Sequence, residues 1–300
     1  MAHTHPDTAP SAGPTRYYVP HGSYWPILGS IGLAALMVGF ARLLNGSDLG
    51  PTLMFAGALV IAIMLFGWFG TVVREGLAGS YNQQVNRSFR FGMAWFIFSE
   101  VMFFGAFFGA LFFARVFSVP WLGGAGSGEA THTFLWPGFQ ALWPLLQMPD
   151  PSQYQVPESA MKAWGIPAIN TLVLLSSGVT IVVAHWGLVR GRRRQLVAGL
   201  VATLVLGILF LALQAHEYWY AYNELNLRLS SGIYGSTFFM LTGFHGAHVT
   251  IGAVMLLVML VRSLLGHFSP TEHFAFQAAS WYWHFVDFVW LALFVFVYWL

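Results

Sequence analysis

The sequence predicts an all-α integral membrane protein of seven transmembrane helices, and three observations predict it. Of the 300 residues, 57% are hydrophobic and only 8% are charged, against a charged share of roughly 25% in soluble domains. Seven apolar windows reach or approach the ~20 residues that carry a helix across a ~30 Å hydrocarbon layer. The basic residues divide unevenly between the two sides that those windows define, as they do around membrane spans.

The elements follow in order. Residues 1–26 are polar, contain several prolines and lack the apolar core of a signal peptide, so they are expected to remain as a polar N-terminal segment. The spans fall near 27–44, 51–73, 91–115, 167–189, 196–216, 236–262 and 280–300. With the N-terminus inside, the inner side holds Arg16, Arg74, Arg87, Arg90, Arg190, Arg192, Arg193, Arg194 and Arg262. The outer side holds Arg42, Arg115, Lys162 and Arg228. Nine against four predicts an N-in, C-out topology. Connections are short except for 117–165, a Gly-, Pro- and Trp-rich outer loop with Glu129, Asp150 and Glu158, which reads as partner-facing surface or as filler. No internal repeat is visible, which weighs against transporters built from two related halves. Residues 27–300 read as one membrane domain, with a looser seam at YNQQVNRS between the second and third spans.

Inside the third span, RFGMAWFIFSEVMFFGAFFGALFFAR carries one acid, Glu100, about 15 Å beyond Arg90 at 1.5 Å per residue. An intramembrane acid is costly, so it is either functional in proton handling, held neutral, or bonded to Ser99 or to a polar group across the bundle. QAHEY puts Gln214, His216 and Glu217 at the outer end of the fifth span, where water or headgroups are expected to solvate them. GFHGAHV places His245 and His248 three apart on one face of the sixth span, and Gly243 and Gly246 suit a close helix contact there. WYWHFVDFVW repeats the spacing with His284 and Asp287, near the inner end of the seventh. Two histidines three apart are too few ligands for haem or copper, so interhelical hydrogen bonds are expected and a metal site is not.

With no cysteine there is neither a disulfide nor a thiolate metal site, and a net charge of +2 gives no argument for nucleic acid. No nucleophile elbow, phosphate loop, nucleotide fingerprint or CxxCH haem attachment is present, so no catalytic residue is assigned to this chain. Trp68 lies in the last turns of the second span, Arg74 and Glu75 follow it, and Arg262 ends the sixth on the same side; such arginines are either phospholipid clamps or ordinary positive-inside anchors.

The motifs RFGMAWFIFSEVMFFGAFF, INTLVLLSSG, QAHEY, GIYGSTFFMLTGFHGAHVTIG and AASWYWHFVDFVWLALFVFVYW occur in order, and together they closely resemble subunit III of cytochrome c oxidase, from about residue 51 to the end. The resemblance implies seven helices split into a pair and a bundle of five by a V-shaped, phospholipid-holding cleft. Glu100 then corresponds to the family's buried glutamate, and Trp68, Arg74, Glu75 and Arg262 to its lipid-headgroup residues. It implies a subunit without its own redox centre, packed against the catalytic subunit I, whose complex holds the haems and copper, and the copper-bearing subunit II, with cytochrome c as electron donor. The implied roles are stabilising the catalytic centre in turnover, supporting proton uptake and providing a route for oxygen. The implied location is a bacterial plasma membrane in preference to a mitochondrial inner membrane. Where family members often have an acid after the second-span tryptophans, this chain has Gly70 and Thr71. His3, His5 and His21 are similar to histidines near the partner's proton entrance. The alternatives are the corresponding subunit of a quinol oxidase or nitric-oxide-reductase-associated complex, and an independent proton-coupled carrier.

Overall fold

A computed structural model describes residues 22–300, so His3, His5, His21 and Arg16 lie outside the described residues. Among these residues all regular structure is helical. Seven helices are long and apolar enough to cross a membrane. We number them α1 (Trp25–Leu44), α2 (Leu49–Leu77), α3 (Gln83–Phe113), α4 (Ile166–Val189), α5 (Arg193–Asn223), α6 (Gly232–Leu264) and α7 (Phe274–Leu293).

Most helices overrun their apolar windows. α3 begins eight residues before the expected position 91, within YNQQVNRS, and its winding continues through a π-type turn, Ala114–Ser118, to Leu122. α5 runs seven residues past His216, and α7 starts six before position 280. Hydropathy marks the oily stretch, whereas a helix continues as long as its backbone groups stay paired, which polar flanking residues permit.

The chain forms two compact units that divide within α3, at Phe89 and Arg90. In the first, α1 and α2 make an antiparallel hairpin whose backbones touch through glycine. A Cβ on Gly39 would lie 2.6 Å from the Met54 amide nitrogen, one on Gly50 2.5 Å from that of Leu43, and one on Gly57 2.5 Å from that of Leu36. Only small residues allow that approach, the usual device of helix pairs in lipid.

In the second unit α4, α5, α6 and α7 enclose a core that includes Leu174, Phe210, Phe238, Leu256, Trp283 and Trp290, all fully buried. α4 and α5 meet closely at Gly187, opposite the Leu196 backbone, and at Gly199, opposite Ala184. α3 packs on α6 and α7 through rings: Phe103 meets Phe244 at 5.1 Å between centroids, Phe104 meets Phe285 at 6.1 Å, and Phe96 stacks near Tyr282 at 6.2 Å. Segment 117–165 is more structured than a plain loop, with short helices at Val119–Leu122 and Glu129–Leu135. Its WPGFQALWPLL stretch folds inward: Phe139 and Leu145 pack on Val119. Trp143 lies against Arg115 at 5.9 Å and Tyr234 at 6.1 Å.

Candidate functional site

The site grows from the midpoint of α3. Glu100 is the eighteenth residue of a 31-residue helix, and His248 the seventeenth of the 33 in α6. Glu100 Oε2 lies 2.9 Å from His248 Nε2, with the two side chains only 20% and 14% exposed. His248 Nδ1 lies 2.6 Å from the Phe244 carbonyl oxygen. A carbonyl only accepts, so Nδ1 carries a hydrogen and donates it. The contact between Nε2 and the carboxyl then holds a single proton, either as a carboxylic acid donating to a neutral imidazole or as an imidazolium donating to a carboxylate. Both arrangements are neutral overall, so the pair avoids the isolated buried charge that makes an intramembrane acid expensive. Ser99 takes no part, because its hydroxyl donates to the Phe96 carbonyl at 2.6 Å. Phe104, with its ring 5.0 Å from that of His248, and Tyr282 at 6.4 Å flank the pair.

His245 has other partners. Fully buried, its Nε2 faces the Val286 carbonyl of α7 at 3.2 Å, and its ring packs against Phe210 and Trp290. Three residues advance a helix by about 300°, so the two imidazoles diverge by about 60° and reach different neighbours. The glycines beside them differ as well. A Cβ on Gly243 would meet the Tyr218 hydroxyl oxygen at 3.4 Å, whereas Gly246 faces open space, so Gly246 makes none of the close contact expected of it.

His284 and Asp287 lie ten and thirteen residues into α7, not near its start, because the helix begins at Phe274. Their Nδ1 to Oδ2 separation is 3.6 Å, longer than a hydrogen bond. Asp287 is instead pressed against α4 at Gly178, where an added Cβ would collide with its Oδ2.

The QAHEY group departs furthest from expectation. Gln214 and Glu217 are 5% and 2% exposed, turned into the bundle with α5 continuing past them, whereas His216 does face outward. They face the Tyr298 hydroxyl, and none of the three forms a hydrogen bond of standard geometry. A cavity of about 170 Å³ beside Glu217 is also lined by Lys162 and Trp164.

Among the potential lipid residues, Trp68, Arg74 and Glu75 belong to the first unit and Arg262 to the second. Trp68 is 47% exposed. Arg74 Nε donates to the Gly70 carbonyl at 3.2 Å, and Thr71 Oγ1 to that of Gly67 at 3.1 Å. The Tyr81 hydroxyl donates to Glu75 at 2.7 Å. Arg262 lies over the Phe268 ring at 4.6 Å.

Several polar contacts escaped the sequence reading. Trp283 Nε1 donates to Ser177 Oγ and Trp290 Nε1 to Thr171 Oγ1, each at 2.9 Å. Thr180 and Thr203 share a hydrogen bond at 2.8 Å, as do Tyr218 and Thr242 at 2.7 Å. The available signal was two tryptophans seven apart, on one face of α7; the α4 hydroxyls, six apart, are turned about 120° from one another and give no such signal.

The family model described as Cytochrome c oxidase subunit III matches residues 15–135 and 150–300. The curated protein named Cytochrome c oxidase subunit 3 from Tachyglossus aculeatus aculeatus is 39% identical over 286 residues, 94% of this chain and 96% of its own length. The protein of that name from Marchantia polymorpha is 40% identical over 280 residues, 92% of this chain and 93% of its own. The one from Oryctolagus cuniculus is 38% identical over 286 residues, 94% and 96% of the two chains. The matches span both units and every long helix, and the chain belongs to the cytochrome c oxidase subunit III family.

Proposed function

We propose that this chain is the non-catalytic third subunit of a proton-pumping cytochrome c oxidase, without a redox centre of its own. In this reading it packs beside the catalytic subunit I, within a complex that holds the haems and copper, and beside the copper-bearing subunit II. Cytochrome c is the electron donor to the complex. The chain lies N-in and C-out in a bacterial plasma membrane. Trp68, Arg74, Glu75 and Arg262 hold phospholipid in a cleft that also gives oxygen a route. The chain stabilises the catalytic subunit during turnover and supports its proton uptake.

One observation carries this reading: the family match extends over both units, including α1 and α2. The geometry around Glu100 agrees with a supporting role. Its acid is matched to His248 at 2.9 Å, as suits a fixed crosslink between α3 and α6 better than a member of a proton wire. In this reading His245, His248 and Asp287 orient helices separately, each against its own neighbour (the Val286 carbonyl, Glu100 and Gly178), and do not form one network with Glu217 and His284.

The test is purification of the tagged chain from its own membranes in mild detergent, with a reduced-minus-oxidised spectrum of what accompanies it. Haem a bands with two larger membrane subunits are expected; a colourless single chain refutes the reading. Arg74→Ala with Arg262→Ala should lower co-purifying phospholipid and shorten the working life of the enzyme, and unchanged lipid refutes the cleft assignment.

A further inference from the structure

A surface on α5, wholly within the second unit, has the form of a lipid site separate from the one above. An open furrow of about 1000 Å³ runs along α5 alone, lined by Val197, Ala198, Val201, Ala202, Val205 and Leu206, with Arg193 and Arg194 at its end. From Arg194 to Val205 is eleven residues, or about 17 Å of helix, close to one leaflet of a ~30 Å hydrocarbon layer.

The charge at the furrow's end is unbalanced. Four arginines fall within Arg190–Arg194, around a turn that Gly191 makes possible at φ +67°, and residues 187–213 contain no acid. Two of the four are engaged. Arg193 donates to the Leu264 carbonyl at the C-terminus of α6, and Arg190 lies over Trp186 at 5.8 Å. Arg192 and Arg194 are exposed at the first turn of α5, which has no side-chain cap. The positive end of the helix dipole therefore adds to their charge, the reverse of the usual placement of cations at C-termini. An anion beside them relieves both.

We propose that α5 holds one anionic phospholipid lengthwise, its phosphate on Arg192 and Arg194 and one acyl chain in the Ala198–Ala202 furrow. Guanidinium pairs suit phosphate oxygens, and the apolar trough that continues from them suits a lipid in preference to a free anion. The helix start itself, residues 187–213, offers no carboxylate to the ammonium of a zwitterionic headgroup, which favours a lipid with net negative charge. This site shares no residue with Trp68, Arg74, Glu75 and Arg262, so the two lipid assignments stand or fall separately.

The experiment uses the whole complex, purified in mild detergent and reconstituted with defined mixtures of phosphatidylglycerol and phosphatidylcholine, with retained lipid counted by mass spectrometry. Arg192→Gln with Arg194→Gln should lose one phosphatidylglycerol per chain and lower the preference over phosphatidylcholine about tenfold or more. Ala198→Leu with Ala202→Leu, which fills the furrow, should lose the same lipid. A photo-crosslinking residue at Val205 should capture lipid. An unchanged phosphatidylglycerol count in the arginine variant overturns the proposal, and so does a protein adduct at 205. Displacement of the headgroup by inorganic phosphate, with binding unaffected when the furrow is filled, shows a free-anion site and overturns it as well. If the leucine variant does not assemble, the arginine variant decides alone, because neither guanidinium belongs to the packed core.

Discussion

Replacing Glu100 and His248 by leucine, singly and together, tests whether the contact between α3 and α6 is a matched neutral pair. The 2.9 Å contact is 80% or more shielded on both sides, and His248 is oriented by its bond to the Phe244 carbonyl. Glu100→Leu leaves the His248 Nε2 facing Phe104 without a polar partner. An orphaned buried group costs about 1–3 kcal/mol in soluble proteins, and hydrogen bonds between membrane helices have averaged about 0.6 and reached about 1.7. A coupling of about 1 kcal/mol is therefore expected, with the double variant less damaged than the sum of the singles. Glu100→Gln should cost no more than about 0.5 kcal/mol, because its amide N–H can donate to Nε2 or its amide oxygen accept from it. The assay is resistance of the chain to SDS-driven unfolding within the purified complex. Strict additivity of the two leucine changes, or glutamine as damaging as leucine, refutes the neutral-pair reasoning.

Three further outcomes follow from neighbouring contacts. Gly178→Ala should destabilise by about 1–3 kcal/mol in the same assay, because its methyl displaces the Asp287 carboxyl from α4. Ser177→Ala leaves the Trp283 N–H unpaired and should cost about 1 kcal/mol; adding Trp283→Phe, which removes that N–H, should make the double cost less than the sum. In segment 117–165, the Ser152 hydroxyl and amide donate to Asp150 at 2.6 and 3.1 Å and hold its carboxyl below the ordinary 3.8. A lowered folded value stabilises the turn fully above pH 3.8, and that contribution is lost as pH falls from there through the lower folded value. Exchange of the Ser152 amide, corrected for its intrinsic rate, should therefore rise in acid, and Asp150→Asn should raise it at neutral pH.

The sequence by itself determined what depends on local composition. Seven apolar windows, separated by polar or glycine-bearing turns, specify seven helices, because a backbone in lipid must satisfy its own hydrogen bonds. The motifs around Glu100 and His248 were likewise legible in order along the chain. The tertiary structure decided partners and depths. Glu100 and His248 are 148 residues apart, and Trp283 and Ser177 are 106 apart, so no periodicity links them. The depths of Asp287 and Glu217 depend on where α7 begins and α5 ends, and hydropathy misplaces both because helices outrun their oily stretches. The tight crossings at Gly39, Gly50 and Gly178 look like any other glycines in sequence. They acquire meaning only when another helix lies against them, because the missing Cβ matters where a second backbone or carboxyl occupies its place.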